Sequence, residues 1–171
     1  MEEKQQKKQL EIEYCNFLEE ANKEELEVLK LVIEGIKKKK NNEVLTYFNG
    51  LTNLKGKRLD NGGLEMSIPN TPLIKNPLGI AHGGITATLL DTTLGTLANL
   101  QLPEDKTVVT TELKINYLRP GDGEYLRCVA TLLHAGSKII VLEGKVYNDR
   151  DQLIAHGSGS FFIIKREKSN F

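Results

Sequence analysis

Asp91 is the single charged side chain between Gly83 and Pro103, in the run GGITATLLDTTLGTLANLQLP. A lone carboxylate among apolar and small residues is costly to bury without partners or a task. Its chemistry suits a general base or a nucleophile acting on a carbonyl. Eight residues earlier, His82-Gly83-Gly84 stands where the apolar run begins. If that run is a helix, its first N–H groups lack intrahelical partners and face the positive end of the dipole. Such amides hold an oxyanion formed by attack on a carbonyl. Gly83 and Asp91 would lie about 12 Å apart along one helix axis, at ~1.5 Å per residue. One reacting carbonyl cannot touch both. Either they serve different sites, or a second subunit supplies one of them through a two-fold with antiparallel helices. The plainer readings are a glycine turn without ligand, a structural His82, and an Asp91 capped by hydroxyls such as Thr92.

The elements that must position these groups follow from periodicity. Leu89, Leu90, Leu94, Leu97 and Leu100 recur at near-helical spacing, which predicts a buried helix over 83–103. Before it, Leu51–Leu59 and Leu64–Ile68 flank Asp60-Asn61-Gly62-Gly63, a hairpin signal. Pro69, Pro72 and Pro77 mark an irregular approach to the helix. After Pro103 four strands are predicted: Val109–Tyr117, Tyr125–Leu133, Ile139–Tyr147 and Leu153–Ile164. In the first, Thr110, Glu112, Lys114 and Asn116 alternate with Val109, Thr111, Leu113, Ile115 and Tyr117, so Thr110 is expected on the polar face. Taken in meander order, these strands make an α+β domain with an antiparallel sheet wrapped around one helix.

Residues 1–44 read as a helical extension, residues 45–165 as the main domain, and residues 166–171 as a polar tail. Leu10, Tyr14, Phe17, Leu18 and Ala21 form one stripe. Asn22 with Glu25 fits a capping box opening a second helix, and Lys37–Lys40 end it. That lysine run is either a nucleic-acid or phosphate contact, or a solvated helix end. Two helices, or one interrupted helix, are expected to dock on the outer sheet surface or on another subunit.

Lysine plus arginine and aspartate plus glutamate both number 23, so no net charge argues for a nucleic-acid or membrane-binding surface. Cys15 and Cys128 lie far apart and fit free thiols in a cytoplasmic protein. MEEKQQKKQLEIEY has no apolar signal core. The Thr- and Gly-rich 83–103 stretch does not read as a membrane span. His82, His134 and His156 lack metal-ligand spacing, and no metal or cofactor is expected.

Asn76-Pro-Leu-Gly79-Ile-Ala-His82-Gly83-Gly84, then Leu90-Asp91, then Tyr117-Leu118-Arg119-Pro120-Gly121, resembles the PaaI-like acyl-CoA thioesterases of the hotdog-fold superfamily. The resemblance spans roughly residues 45–165. HGGITATLLD is similar to the HGG-x-TAT-x-x-D form of the thioesterase superfamily member 2 type. It implies a hotdog fold and hydrolysis of an acyl-CoA thioester. It places the acid or nucleophile on Asp91, the oxyanion-binding glycine on Gly83, the preceding asparagine on Asn76 and a catalytic hydroxyl on Thr110. Asn76 and Gly83 would then face Asp91 and Thr110 of another subunit, in a homodimer and a dimer of dimers, or homotetramer. His82 would position the loop. CoA would lie across a subunit interface, with Gly84, Gly136, Ser137, Lys138 and Arg119 as candidate contacts. The alternative is a non-catalytic acyl-CoA sensor with a helical DNA-binding region. Asp91 and the even mix of Glu and Lys in residues 1–40 count against it.

Overall fold

The computed structural model describes residues 2–166, which divide into two compact units between Leu51 and Thr52. The first unit is helical: α1 (Glu2–Glu20), α2 (Lys23–Lys40) and α3 (Tyr47–Leu51). The break between α1 and α2 is set by the Asn22 capping box. The Asn22 side chain accepts from the Glu25 N–H while the Glu25 carboxylate accepts from the Asn22 N–H. α3 ends on Leu51, the first residue of the stretch expected as a strand. The Thr46 hydroxyl accepts from the Asn49 N–H, and Gly50 lies against the backbone of Gly35 in α2. That close approach leaves no room for a Cβ on either glycine. The strand itself begins only at Lys55.

The second unit holds β1 (Lys55–Arg58), β2 (Leu64–Pro69), α4 (Gly83–Asn99), β3 (Lys106–Tyr117), β4 (Tyr125–Ala135), β5 (Ile139–Asn148) and β6 (Leu153–Lys165). The expected β1–β2 hairpin is present, with Gly62 at φ 83° in its turn. The expected tail at 166–171 lies outside the described residues apart from Arg166.

All strand pairings are antiparallel, in the order β1-β2-β4-β5-β6-β3, and α4 packs across β2 to β6. This is the hotdog architecture. It corrects the expected meander, because β3 joins the sheet beyond β6 rather than beside β4. The flanks of β4 are taken by β2 and β5. The chain reaches β4 from β3 across three strand spacings, about 14 Å. Residues 118–124 span that distance and pass under the start of α4, where the Ala81 N–H donates to the Gly121 carbonyl.

Why α4 sits where it does is visible in the sheet beneath it. Leu90 and Leu94 are fully buried. They press onto glycines: a Cβ at Gly144 would lie 2.5 Å from Leu90 Cδ1 and 3.2 Å from Leu94 Cδ2. Gly144 pairs directly with Gly157, which also faces Leu90. The paired glycines form a socket for one leucine. Burying each such side chain contributes about 1.5–3 kcal/mol. Thr93, fully buried, satisfies its hydroxyl on the Leu89 carbonyl at 2.6 Å. The helix ends at Asn99, four residues short of Pro103, and Leu100 is exposed.

Candidate active site

His82 builds the entry to α4. Its Nδ1 accepts from the Gly84 N–H at 2.9 Å, so the neutral ring carries its proton on Nε2. Its carbonyl accepts from the N–H groups of Ile85 and Thr86 at 2.9 and 3.1 Å. His82 therefore satisfies three of the first four helical donors. Among the described residues, the Gly83 N–H has no hydrogen-bond partner. It is the donor left for an outside acceptor.

The loop before His82 is held by Asn76. Its side-chain oxygen accepts from the Leu78 N–H, its carbonyl accepts from Gly79, and its own N–H donates to the Ile80 carbonyl. Gly79 takes φ 75°, which suits glycine. The His82 N–H donates to the Ile74 carbonyl and closes the loop.

Asp91 lies in mid-helix, half-buried, two turns beyond Gly83. Its Oδ1 accepts from the Thr110 hydroxyl at 2.9 Å. The partner is Thr110, the hydroxyl that the resemblance set beside Asp91, and not Thr92 of the plainer reading. This also corrects the expected face of Thr110. β3 pairs Thr110 with Phe161 but Glu112 with Ser160, so Thr111 is an extra residue. One inserted residue reverses the side-chain parity of a strand. Thr110 thus shares the helix-facing side with Leu113 and Ile115, which pack on the core. The Thr111 hydroxyl donates to the Ser160 carbonyl within the bulge.

The structure brings Asp91 and Thr110 together at the middle of α4, and Asn76, His82, Gly83 and Gly84 together at its N-terminus. It does not join the two groups within one chain, which are separated by about 12 Å of helix axis. Arg119 belongs to the His82 end, where its Nη1 donates to the Leu153 carbonyl at 2.9 Å. Gly136, Ser137 and Lys138 form the β4–β5 turn, with the Lys138 carbonyl accepting from Ile163. Ile163 pairs with Val108, so the turn stands near the Thr110 end of the sheet. Among the described residues no group of three His, Cys, Asp or Glu side chains could hold a metal ion.

Sequence reasoning passed over Tyr117, whose hydroxyl donates to the Gly83 carbonyl at 2.8 Å. No local signal marks that contact. The bulge at Thr111 likewise has no signature beyond two consecutive threonines. The glycine socket was readable, since glycines inside strands mark close approach.

The thioesterase superfamily model matches residues 78–155. The BH2602 protein of Bacillus halodurans, solved with CoA, is 45% identical. The match covers 89% of this chain and 98% of that one, with a TM-score of 0.83. The medium/long-chain acyl-CoA thioesterase YigI of Escherichia coli K12 is 27% identical over 131 residues, 68% of this chain and 84% of that protein. The proofreading thioesterase EntH of Klebsiella pneumoniae is 35% identical over 94 residues, 54% of this chain and 68% of that protein.

Proposed function

This chain belongs to the thioesterase superfamily, and from that premise we propose that it hydrolyses an acyl-CoA thioester to the free acid and CoA. The observation that carries the reading is the pairing of chemistries at the N-terminus and the middle of α4. The Gly83 N–H is an unused donor, and Asp91 is a carboxylate held by Thr110. The Gly83 amide polarises the thioester carbonyl and stabilises the oxyanion. Asp91 activates water as general base or attacks the carbonyl itself. Thr110 orients the carboxylate or the water. Asn76 and His82 hold the loop that presents Gly83. The thiolate of CoA leaves as the carbon–sulfur bond breaks, and the reaction calls for no metal or other cofactor.

The two half-sites come from different protomers of a homodimer, and two dimers associate. β3 supports this, because among the described residues its twelve residues form a sheet edge paired only with β6. An edge of that length is a template for a second copy. CoA crosses the protomer boundary, with Gly84, Arg119 and the Gly136-Ser137-Lys138 turn as its contacts. Among the described residues no helix is long and apolar enough to cross a membrane. With two free cysteines, we place the enzyme in the cytoplasm.

The test is thiol release from a panel of aliphatic and aromatic acyl-CoAs, compared by kcat/KM. A clear preference with turnover supports the assignment. Tight binding of acyl-CoA without thiol release replaces it with the sensor reading.

A further inference from the structure

The Gly83–Gly84 peptide group is held at both of its polar atoms by side chains. Its N–H donates to His82 Nδ1 at 2.9 Å, and its carbonyl accepts from the Tyr117 hydroxyl at 2.8 Å. The Tyr117 ring also lies over the glycine. A Cβ on Gly83 would meet the ring at 3.6 Å, ordinary contact distance. Neither glycine has a side chain to stiffen this first-turn peptide, so the two side-chain contacts add to the hold of the helix ladder at its frayed end. The neighbouring peptide, His82–Gly83, carries the unused Gly83 N–H. Fixing one peptide plane limits rotation about the Gly83 backbone, and so limits where that N–H points.

We propose that Tyr117 is a positioning residue for the Gly83 N–H, acting through the Gly83 carbonyl together with His82. The inference rests on the reading of Gly83 as oxyanion donor, and it assigns Tyr117 no contact with the reacting atoms. β3 thereby serves both the middle and the N-terminus of α4. Thr110 reaches Asp91 near its start, and Tyr117, its last residue, reaches Gly83. A donor that stabilises an oxyanion must be aimed before the charge develops, so loosening it raises the barrier more than it weakens ground-state binding.

The test uses the full-length protein. Tyr117→Phe keeps the ring and removes the hydroxyl. The expected result is a roughly five-fold fall in kcat with KM unchanged, the size set by one lost hydrogen bond. The backbone amide resonances of Gly83 and Gly84, assigned by ¹⁵N NMR, should shift while those of β4 and β5 stay in place. Combined with His82→Ala, the loss should be smaller than the product of the two single losses, because both side chains hold one peptide group. Unchanged Gly83 and Gly84 resonances overturn the proposal, as do an unchanged kcat beside an active wild type, or strictly multiplicative losses. If the wild-type protein turns over no acyl-CoA in the panel, the functional reading fails, and the amide resonances still decide whether Tyr117 grips Gly83.

Discussion

The Thr110 hydroxyl donates to the Asp91 carboxylate at 2.9 Å, joining a strand to a helix across nineteen positions of sequence. A carboxylate that keeps one oxygen on a hydroxyl retains a second oxygen for water or for a carbonyl carbon. Asp91→Asn preserves shape and the acceptor oxygen but removes the basicity. We expect it to fold normally and to lose acyl-CoA hydrolysis by about 10²-fold or more. Circular dichroism and steady-state turnover check this, and near-normal turnover in a folded Asp91→Asn protein would remove Asp91 from the mechanism.

Thr110 is predicted to act on kcat. Thr110→Ala should lower kcat more than it raises KM, and Thr110→Ser should be mild, since serine keeps the hydroxyl. The outcome that counts against a catalytic hydroxyl is an alanine variant with unchanged kcat. Deleting Thr111 should do more damage than either. It removes the bulge, restores simple alternation, and turns Thr110 away from Asp91.

What could be read in the sequence was local. The Asn22 cap, the apolar period of α4, the hairpin glycines and the motif from Asn76 to Asp91 are each set by residues a few positions apart. They reappear in the structure as a capping box, a buried helix, a turn, and a hydrogen-bonded loop leading into α4. The place of β3 beyond β6 was not legible, because alternation fixes a strand but says nothing of its neighbour. Parity at Thr110 was misread for a related reason: a bulge exists only relative to the partner strand. Tyr117 and Gly83 meet across thirty-four positions, and only the sheet order brings them together.

The glycine socket predicts a stability effect remote from the chemistry. Gly144→Ala would drive a methyl into Leu90 Cδ1, and Gly157→Ala would collide with both Leu90 and the Lys114 carbonyl. Overpacking of this kind costs about 1–3 kcal/mol, with Gly157→Ala the worse because one of its neighbours is backbone. Urea unfolding gives the comparison. If Gly157→Ala is as stable as the parent, α4 is not seated on the sheet as described.

The two cysteines should separate by reactivity and by pH. Cys15 is exposed, whereas Cys128 is fully buried and its thiol is pushed up to about 12, chiefly by burial, against an ordinary value of 9.0. Ellman's reagent should titrate one thiol per native chain and two in denaturant. The sign of the pH effect follows from the raised value. The folded state holds the Cys128 proton more tightly than the unfolded state does, so its contribution is complete below pH 9 and is lost between about pH 9 and 12. Replacing Cys128 with Ala should flatten that part of the stability profile. Rapid labelling of both thiols in the native protein would contradict the burial of Cys128.

The shared site makes the sharpest prediction. Gly83 and Asp91 sit on one unbroken helix, Gly83–Asn99, with eight residues and about 12 Å of axis between them. A donor stabilises an oxyanion only at hydrogen-bond distance, so in the proposed mechanism the Gly83 amide that serves Asp91 comes from another chain. Take one chain carrying Asp91→Asn and a second, differently tagged, carrying Asn76→Ala. The second substitution removes the acceptor that holds the Leu78 N–H and so loosens the loop presenting Gly83. Each homodimer should be nearly inactive. In a mixed dimer, one site takes Asn76 from the first chain and Asp91 from the second and is intact, while the other carries both lesions. Random assortment makes about half the dimers mixed, each with one working site of two, so co-refolding should restore roughly a quarter of wild-type activity. If affinity-purified mixed dimers are no more active than their parents, Asp91 must work with groups of its own chain, and the 12 Å separation would have to be bridged by a donor other than Gly83.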